Sequence, residues 1–262
     1  MSSIQLLTNL AENIHRYEQH GDIDWNYAAN GPVLIERLGP WTDLSSHDKF
    51  NEDENRQIAA SIFRLLSHLA KISSQFFDML ESVGFLVSEA IRAVLMNEST
   101  ALSPAAIYYL AVCSDDGDNS KFRNSLSQHP QFKQLIHRSV GFVIENLTGD
   151  KLKMANAILF LHRLFSTSDS CKTNAFNNLS EIHKRELIRS LVILIRRGSK
   201  PGSCDDKEVF NSRMLAIAAG MLLPVLVNLE PNRLVPVFEQ IPNIKKDERI
   251  DFAFERVLNE AR

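Results

Sequence analysis

Cysteine is scarce in this chain: Cys113, Cys171 and Cys204 are the only three in 262 residues, and none belongs to a CxxC pair. That argues against a disulfide framework and a thiolate zinc site, and the low odd count predicts a reducing compartment. The motifs of phosphate, nucleophile and metalloprotease chemistry are missing as well, with no GxGxxG, GxxxxGKS/T, GxSxG or HExxH. Eight histidines are scattered without a second ligand at metal spacing; the pair His137 and Lys133, four residues apart, reads as polar surface. No catalytic residue, metal or cofactor is therefore expected, and the sequence predicts a protein that is not an enzyme.

No unbroken apolar run reaches about 18 residues, and Met1 to Glu12 has no basic stretch leading into an apolar core. Neither a membrane span nor a signal peptide is expected, and the predicted location is cytoplasmic, nuclear or both. Strand signals are also sparse. The β-branched runs Val140 to Ile144 and Leu191 to Ile195 continue on each side into helical periodicity.

What the chain has in quantity is apolar helix, with 44% hydrophobic and 23% charged residues, a composition that can bury a sizeable core. In Asn55 to Ile72 the residues Ile58, Ile62, Leu65, Leu66 and Leu69 recur at spacings of three and four, one face of a 3.6-residue period. Gln75 to Val83 follows as a short helix, and after a break at Gly84 comes Phe85 to Met96. Further helices are predicted over 3–19, Pro32 to Leu38, Ala105 to Cys113 (capped by Ser103 with Pro104 at its first position), 121–126, 131–147, 150–166, 175–179, 181–197 (capped by Ser180), 208–229, 233–240 and 247–261. Pro224 should kink or split the helix that contains it. Residues 1–50 read as a terminal cap region and 198–207 as a mobile loop, within one domain spanning 1–262.

One such unit cannot bury its apolar face alone, which is the logic of a stacked repeat. Leu110 and Leu161 stand where Leu66 stands, at spacings of about 44 and then about 51 residues. The run Ile58 to Ala70, ending Ser67-His68-Leu69-Ala70, resembles the third helix of an armadillo repeat, whose usual pattern ends Ser, Asn, Leu, Ala; His68 stands at that asparagine. Phe77 to Val87, with Gly84, is similar to the glycine-containing junction between the family's first and second helices. The resemblance implies an all-α, irregular right-handed armadillo- or HEAT-like superhelical solenoid that binds partners along a concave groove. It also implies that His68 lies on the concave side, where the family uses asparagine to hold the backbone of an extended peptide, and gives Arg163 the same role one unit further on.

The net charge of −3 conceals a split. Residues 1–120 carry 7 Lys/Arg against 17 Asp/Glu, residues 121–200 carry 14 against 5, and residues 201–262 carry 8 against 10. In a solenoid, sequence segments are spatial segments, so an acidic end and a basic middle are expected. Arg185, Arg189 and Arg196, at i, i+4 and i+11, share one side of a helix. With His68, Lys133, Arg138 and Arg163 they are the candidate partner-binding residues of a non-enzymatic adaptor or scaffold, and the expected partner is an acidic or extended segment of a larger protein. A merely solvated outer face is the plain alternative. A nucleic-acid-associated repeat protein using the same cations is the second functional reading; the slightly acidic total and the absence of a clear set of exposed aromatics expected in the basic stretch weigh against it. Self-association of the acidic and basic segments is a further option.

Overall fold

Among the described residues, the stretches whose apolar positions recur every three or four residues are helical. The computed structural model describes residues 27–43, 52–81, 83–96, 101–115, 121–145, 150–166, 170–198 and 206–241. Among the described residues there is no strand, and the protein is all-α. The helices are α1 (Tyr27–Leu38), a 3-10 turn (Gly39–Thr42), α2 (Glu52–Ile72), α3 (Ser74–Glu81), α4 (Gly84–Leu95), α5 (Leu102–Cys113), α6 (Lys121–Gln128), α7 (Phe132–Glu145), α8 (Lys151–Phe165), α9 (Ser170–Asn177), α10 (Glu181–Gly198), α11 (Asp206–Leu229) and α12 (Pro231–Glu239). The expected helices over 3–19 and 247–261, the irregular stretch with Trp25, and residues 199–205 of the expected mobile loop lie outside the described residues.

A rhythm runs through this order. The short helices α3, α6 and α9 have eight residues each and α12 has nine; after each of the first three come two longer helices. Two starts follow directly from side-chain chemistry. Asp150 accepts the backbone N–H groups of Leu152 and Lys153 at 3.0 and 3.1 Å, and Ser180 accepts that of His183 at 3.2 Å, satisfying donors that a helix cannot satisfy itself.

Prolines behave differently from expectation at three places. α1 starts five residues before Pro32, which lies inside it. α5 starts at Leu102, with Pro104 in its first turn, where a missing N–H costs nothing; Ser103 is not a cap, and its hydroxyl points to the Val94 carbonyl at 3.5 Å. α11 passes through Pro224 as one helix. Packing on α8 and α10 holds it together although one backbone bond is lost.

The chain divides into two compact units, Met1–Gln131 and Phe132–Arg262. In the first, α2 packs on α3 and α5, and α4 packs on α5. Phe63 and Tyr109 meet in its core with ring centroids 5.3 Å apart, and burial, aided by the neighbouring Cys113, pushes the Tyr109 hydroxyl well above its ordinary pKa. Arg123 of α6 is fully buried, and its Nη1 donates to the Ser114 carbonyl at the end of α5 at 2.9 Å.

In the second unit α8 packs on α7 and α11, and α10 packs on α7, α11 and α12. Gly198 lets the end of α10 touch α11: a Cβ there would lie 2.6 Å from the Ser212 carbonyl. Although Arg213 and Asn228 break its apolar run, Ser212–Leu229 is long and apolar enough to cross a membrane by length and composition. Its Leu215, Ala219, Leu222, Leu223 and Leu226 are buried in the unit, which is what a core helix also requires.

Candidate partner-binding surface

The candidate residues sit on four helices. α7 carries Lys133 and Arg138, α8 carries Arg163, and α10 carries Arg185, Arg189 and Arg196, all in the second unit; His68 belongs to α2 of the first. α7 packs on both α8 and α10, so six of the seven belong to one three-helix group.

α10 buries Leu187, Ile188, Leu191, Val192 and Leu194. Its opposite side presents Ile182, Arg185, Arg189, Ile193 and Arg196, at i, i+3, i+7, i+11 and i+14, which is one stripe of a helix. Ile182 is 73% exposed and Ile193 36%. Arginine and isoleucine therefore interleave along the stripe. Arg189 is paired with Glu186 at 2.7 Å, whereas Arg185 and Lys133 are exposed and have no carboxylate partner among the described residues.

Arg138 is turned inward. Its guanidinium lies 4.7 Å from the centre of the buried Phe142 ring and 3.7 Å from Glu145. Lys153 approaches the same ring at 4.9 Å, and burial pushes its pKa below the ordinary lysine value, with Arg138 adding to the effect and Asp150 opposing it. Arg163 and Arg196 are half-buried. His137, expected to pair with Lys133 on the surface, instead meets His183 of α10 edge to face at 4.9 Å, with its Nε2 shielded and unbonded.

His68 is half-buried, 6.2 Å from the Tyr108 ring, over which Lys71 also lies at 4.9 Å. Beside them Ala70, Lys71, Asp78, Val112 and Asp115 line a cleft of about 320 Å³.

Two features went unread in the sequence. Lys184 is buried: its ammonium bonds Glu181 at 3.1 Å and Glu230 at 3.3 Å and sits 4.0 Å from the Phe176 ring centre. Its signal was the Glu181 partner one turn earlier. Asn228 is the other. Leu66-Ser67-His68-Leu69 in α2, Leu161-His162-Arg163-Leu164 in α8 and Leu226-Val227-Asn228-Leu229 in α11 share one frame, each near the end of its helix and each with a fully buried first leucine. Asn228 thus stands at the place in this frame that His68 and Arg163 occupy in theirs, and the expectation of a split at Pro224 hid it.

Set against known proteins, the chain matches no family model and no curated protein sequence. The armadillo resemblance rests on the chain's own residues.

Proposed function

We propose that the protein is a non-enzymatic adaptor, built as a divergent right-handed armadillo-like solenoid, whose basic face on α7 and α10 binds an acidic segment of a larger protein. The repeat reading is supported by the succession of one short and two longer helices and by the shared leucine frame. The binding reading is carried by one observation, the interleaving of exposed isoleucine and arginine along α10. Ile182 and Ile193 give the stripe apolar area beside its charges for a partner to cover. A partner that covered the stripe would bury its isoleucines and answer its arginines with carboxylates. Phosphate backbones would use the arginines alone, which makes an acidic, partly apolar protein segment the better fit.

The test is recovery of partners from cell extract at moderate salt, wild type beside Arg185→Glu/Arg189→Glu, with a nuclease-treated arm. Both arginines are exposed, so the variant keeps its fold, which circular dichroism checks. A discrete protein that survives nuclease and whose affinity falls about tenfold or more in the variant fits the loss of charge-assisted contacts worth about 1.5–3 kcal/mol each. Retention that nuclease abolishes would move the reading to nucleic acid. Partners indifferent to the reversal would leave the stripe a solvated face.

A further inference from the structure

The exposed stripe of α10 has a length as well as a chemistry. Ile182 and Ile193 stand eleven residues apart, about 16.5 Å along the helix axis. Arg185 and Arg189 lie between them, at about 4.5 and 10.5 Å from Ile182 along that axis. The order along the helix is therefore apolar, cationic, cationic, apolar. Arg185 is exposed and has no carboxylate partner among the described residues. Arg189, with its side chain 56% exposed, commits one of the five N–H donors of its guanidinium to Glu186. Both guanidiniums thus keep donors for a carboxylate from outside the chain.

We propose that the stripe binds an acidic amphipathic helix of a partner protein, with apolar residues at i and i+11 and carboxylates at i+4 and i+7 between them. The inference rests on the adaptor reading for the stripe being a binding face, and adds the conformation and spacing of what it binds. The separation of the isoleucines decides between a helix and an extended chain. An extended chain rises about 3.3 Å per residue, so about 16.5 Å is five residues, and side chains five apart point to opposite sides. Four or six residues return to the same side but miss the second isoleucine by about 3.3 Å. A helix has the rise of α10 and comes back to the same side after eleven residues, three turns plus about 20°. Laid along α10 at the shallow crossing of about 20° common in helix pairs, it keeps step with all four positions. Its carboxylates at i+4 and i+7 stand about 6 and 10.5 Å from the first apolar residue, within about 1.5 Å of the arginines whichever way the partner runs. A second copy of this chain does not supply the pattern. Among its described helices only α3 carries two acids three residues apart, Asp78 and Glu81, and four residues before Asp78 stands Ser74.

The probe is a fluorescent Ala- and Gln-based helical peptide with Leu, Glu, Glu and Leu at i, i+4, i+7 and i+11, titrated by anisotropy against the full chain. A permuted peptide of the same composition carries its Glu at i+2 and i+9, on the far side of the helix; a third peptide has Lys for both Glu, and a fourth has proline at i+6 to break the helix. Wild type should bind the first peptide about tenfold or more tighter than each of the others. Arg185→Glu/Arg189→Glu should invert the preference between the Glu and Lys peptides, which a damaged fold cannot do, and Ile182→Ser should weaken the first peptide. Equal binding of the first and permuted peptides, or binding that survives the proline, overturns the helix; if the α10 variant still loses that binding, an acidic segment remains the partner and the adaptor reading stands. A preference for the first peptide that ignores Arg185→Glu/Arg189→Glu removes the stripe from both readings. Failure of every peptide to bind overturns the helix and leaves the adaptor reading to partner recovery from extract. Dimerisation abolished by Ile182→Ser, with no peptide bound, assigns the stripe to a second copy and overturns the proposal.

Discussion

The two units build the same kind of cleft and line it with different polar side chains. In the first it forms from the end of α2, the start of α3 and the end of α5; in the second, from the end of α8, the start of α9 and the second half of α11. The first is about 320 Å³ and has Asp78 and Asp115 beside Lys71, while the second is about 510 Å³ and has Lys172 and His162 among its described lining residues. The difference extends through each unit, with 9 Lys/Arg against 17 Asp/Glu in residues 1–131 and 20 against 15 in residues 132–262. Layout comes from the leucine frame, which both units keep. Electrostatics comes from a few surface positions that the frame leaves unconstrained, so one scaffold can offer different sites.

If the frame is shared, equivalent leucines should count equally. Leu66→Ala and Leu161→Ala, both fully buried, should each cost about 3–4 kcal/mol of unfolding free energy in urea; a loss below about 1 kcal/mol at either would break the equivalence. The buried cations come next, because here the units should differ. Arg123→Met removes a fully buried guanidinium and strands the Ser114 carbonyl, at about 2–3 kcal/mol. Lys184→Met leaves Glu181 and Glu230, which are 50% and 28% exposed and can rehydrate, so about 1 kcal/mol is expected, shrinking with added salt. Equal costs for both would show that the carboxylates do not recover their water.

The smallest effect concerns acid. His129 accepts the Gln131 N–H on Nδ1 at 3.2 Å and faces Ser88 Oγ at 3.3 Å, and burial lowers its pKa from the ordinary 6.5. On acidification the unfolded chain takes the proton first. The stability contributed by neutral His129 is therefore full above pH 6.5 and declines as pH falls through that value towards the lower folded one. Urea midpoints between pH 7.5 and 5 should slope less steeply in His129→Gln, and an unchanged slope would clear His129 of any part in acid sensitivity.

Most helices were legible because their apolar positions are periodic: α2, α7, α8 and α10 begin and end within about three residues of where the spacing puts them. α9 was not. Its helix is expected only over 175–179, because Ser, Asp and Thr before it favour turns, yet Ser170 to Thr173 are helical and Cys171 is buried. Prolines misled for a related reason. Their local cost is fixed, but the packing that outweighs it at Pro224 comes from α8 and α10, remote in sequence. Of the candidate surface, Lys133, Arg185 and Arg189 are exposed as charge and spacing imply, whereas the inward turn of Arg138 depends on Phe142 and Glu145 further along its helix. Exposed Ile182 was invisible, since an isoleucine in a helical period is read as core.

Arg123 has a bearing on where this chain can be opened. Its guanidinium fastens α6 to the last turn of α5 from inside the core, so the register of these helices does not depend on the length of backbone between Asp115 and Lys121. Each doubling of that connection adds only about 0.6 kcal/mol of closure entropy. A tag or a guest domain spliced between those two residues would meet an anchored junction on both sides, which makes the interval a natural port for labelling the protein.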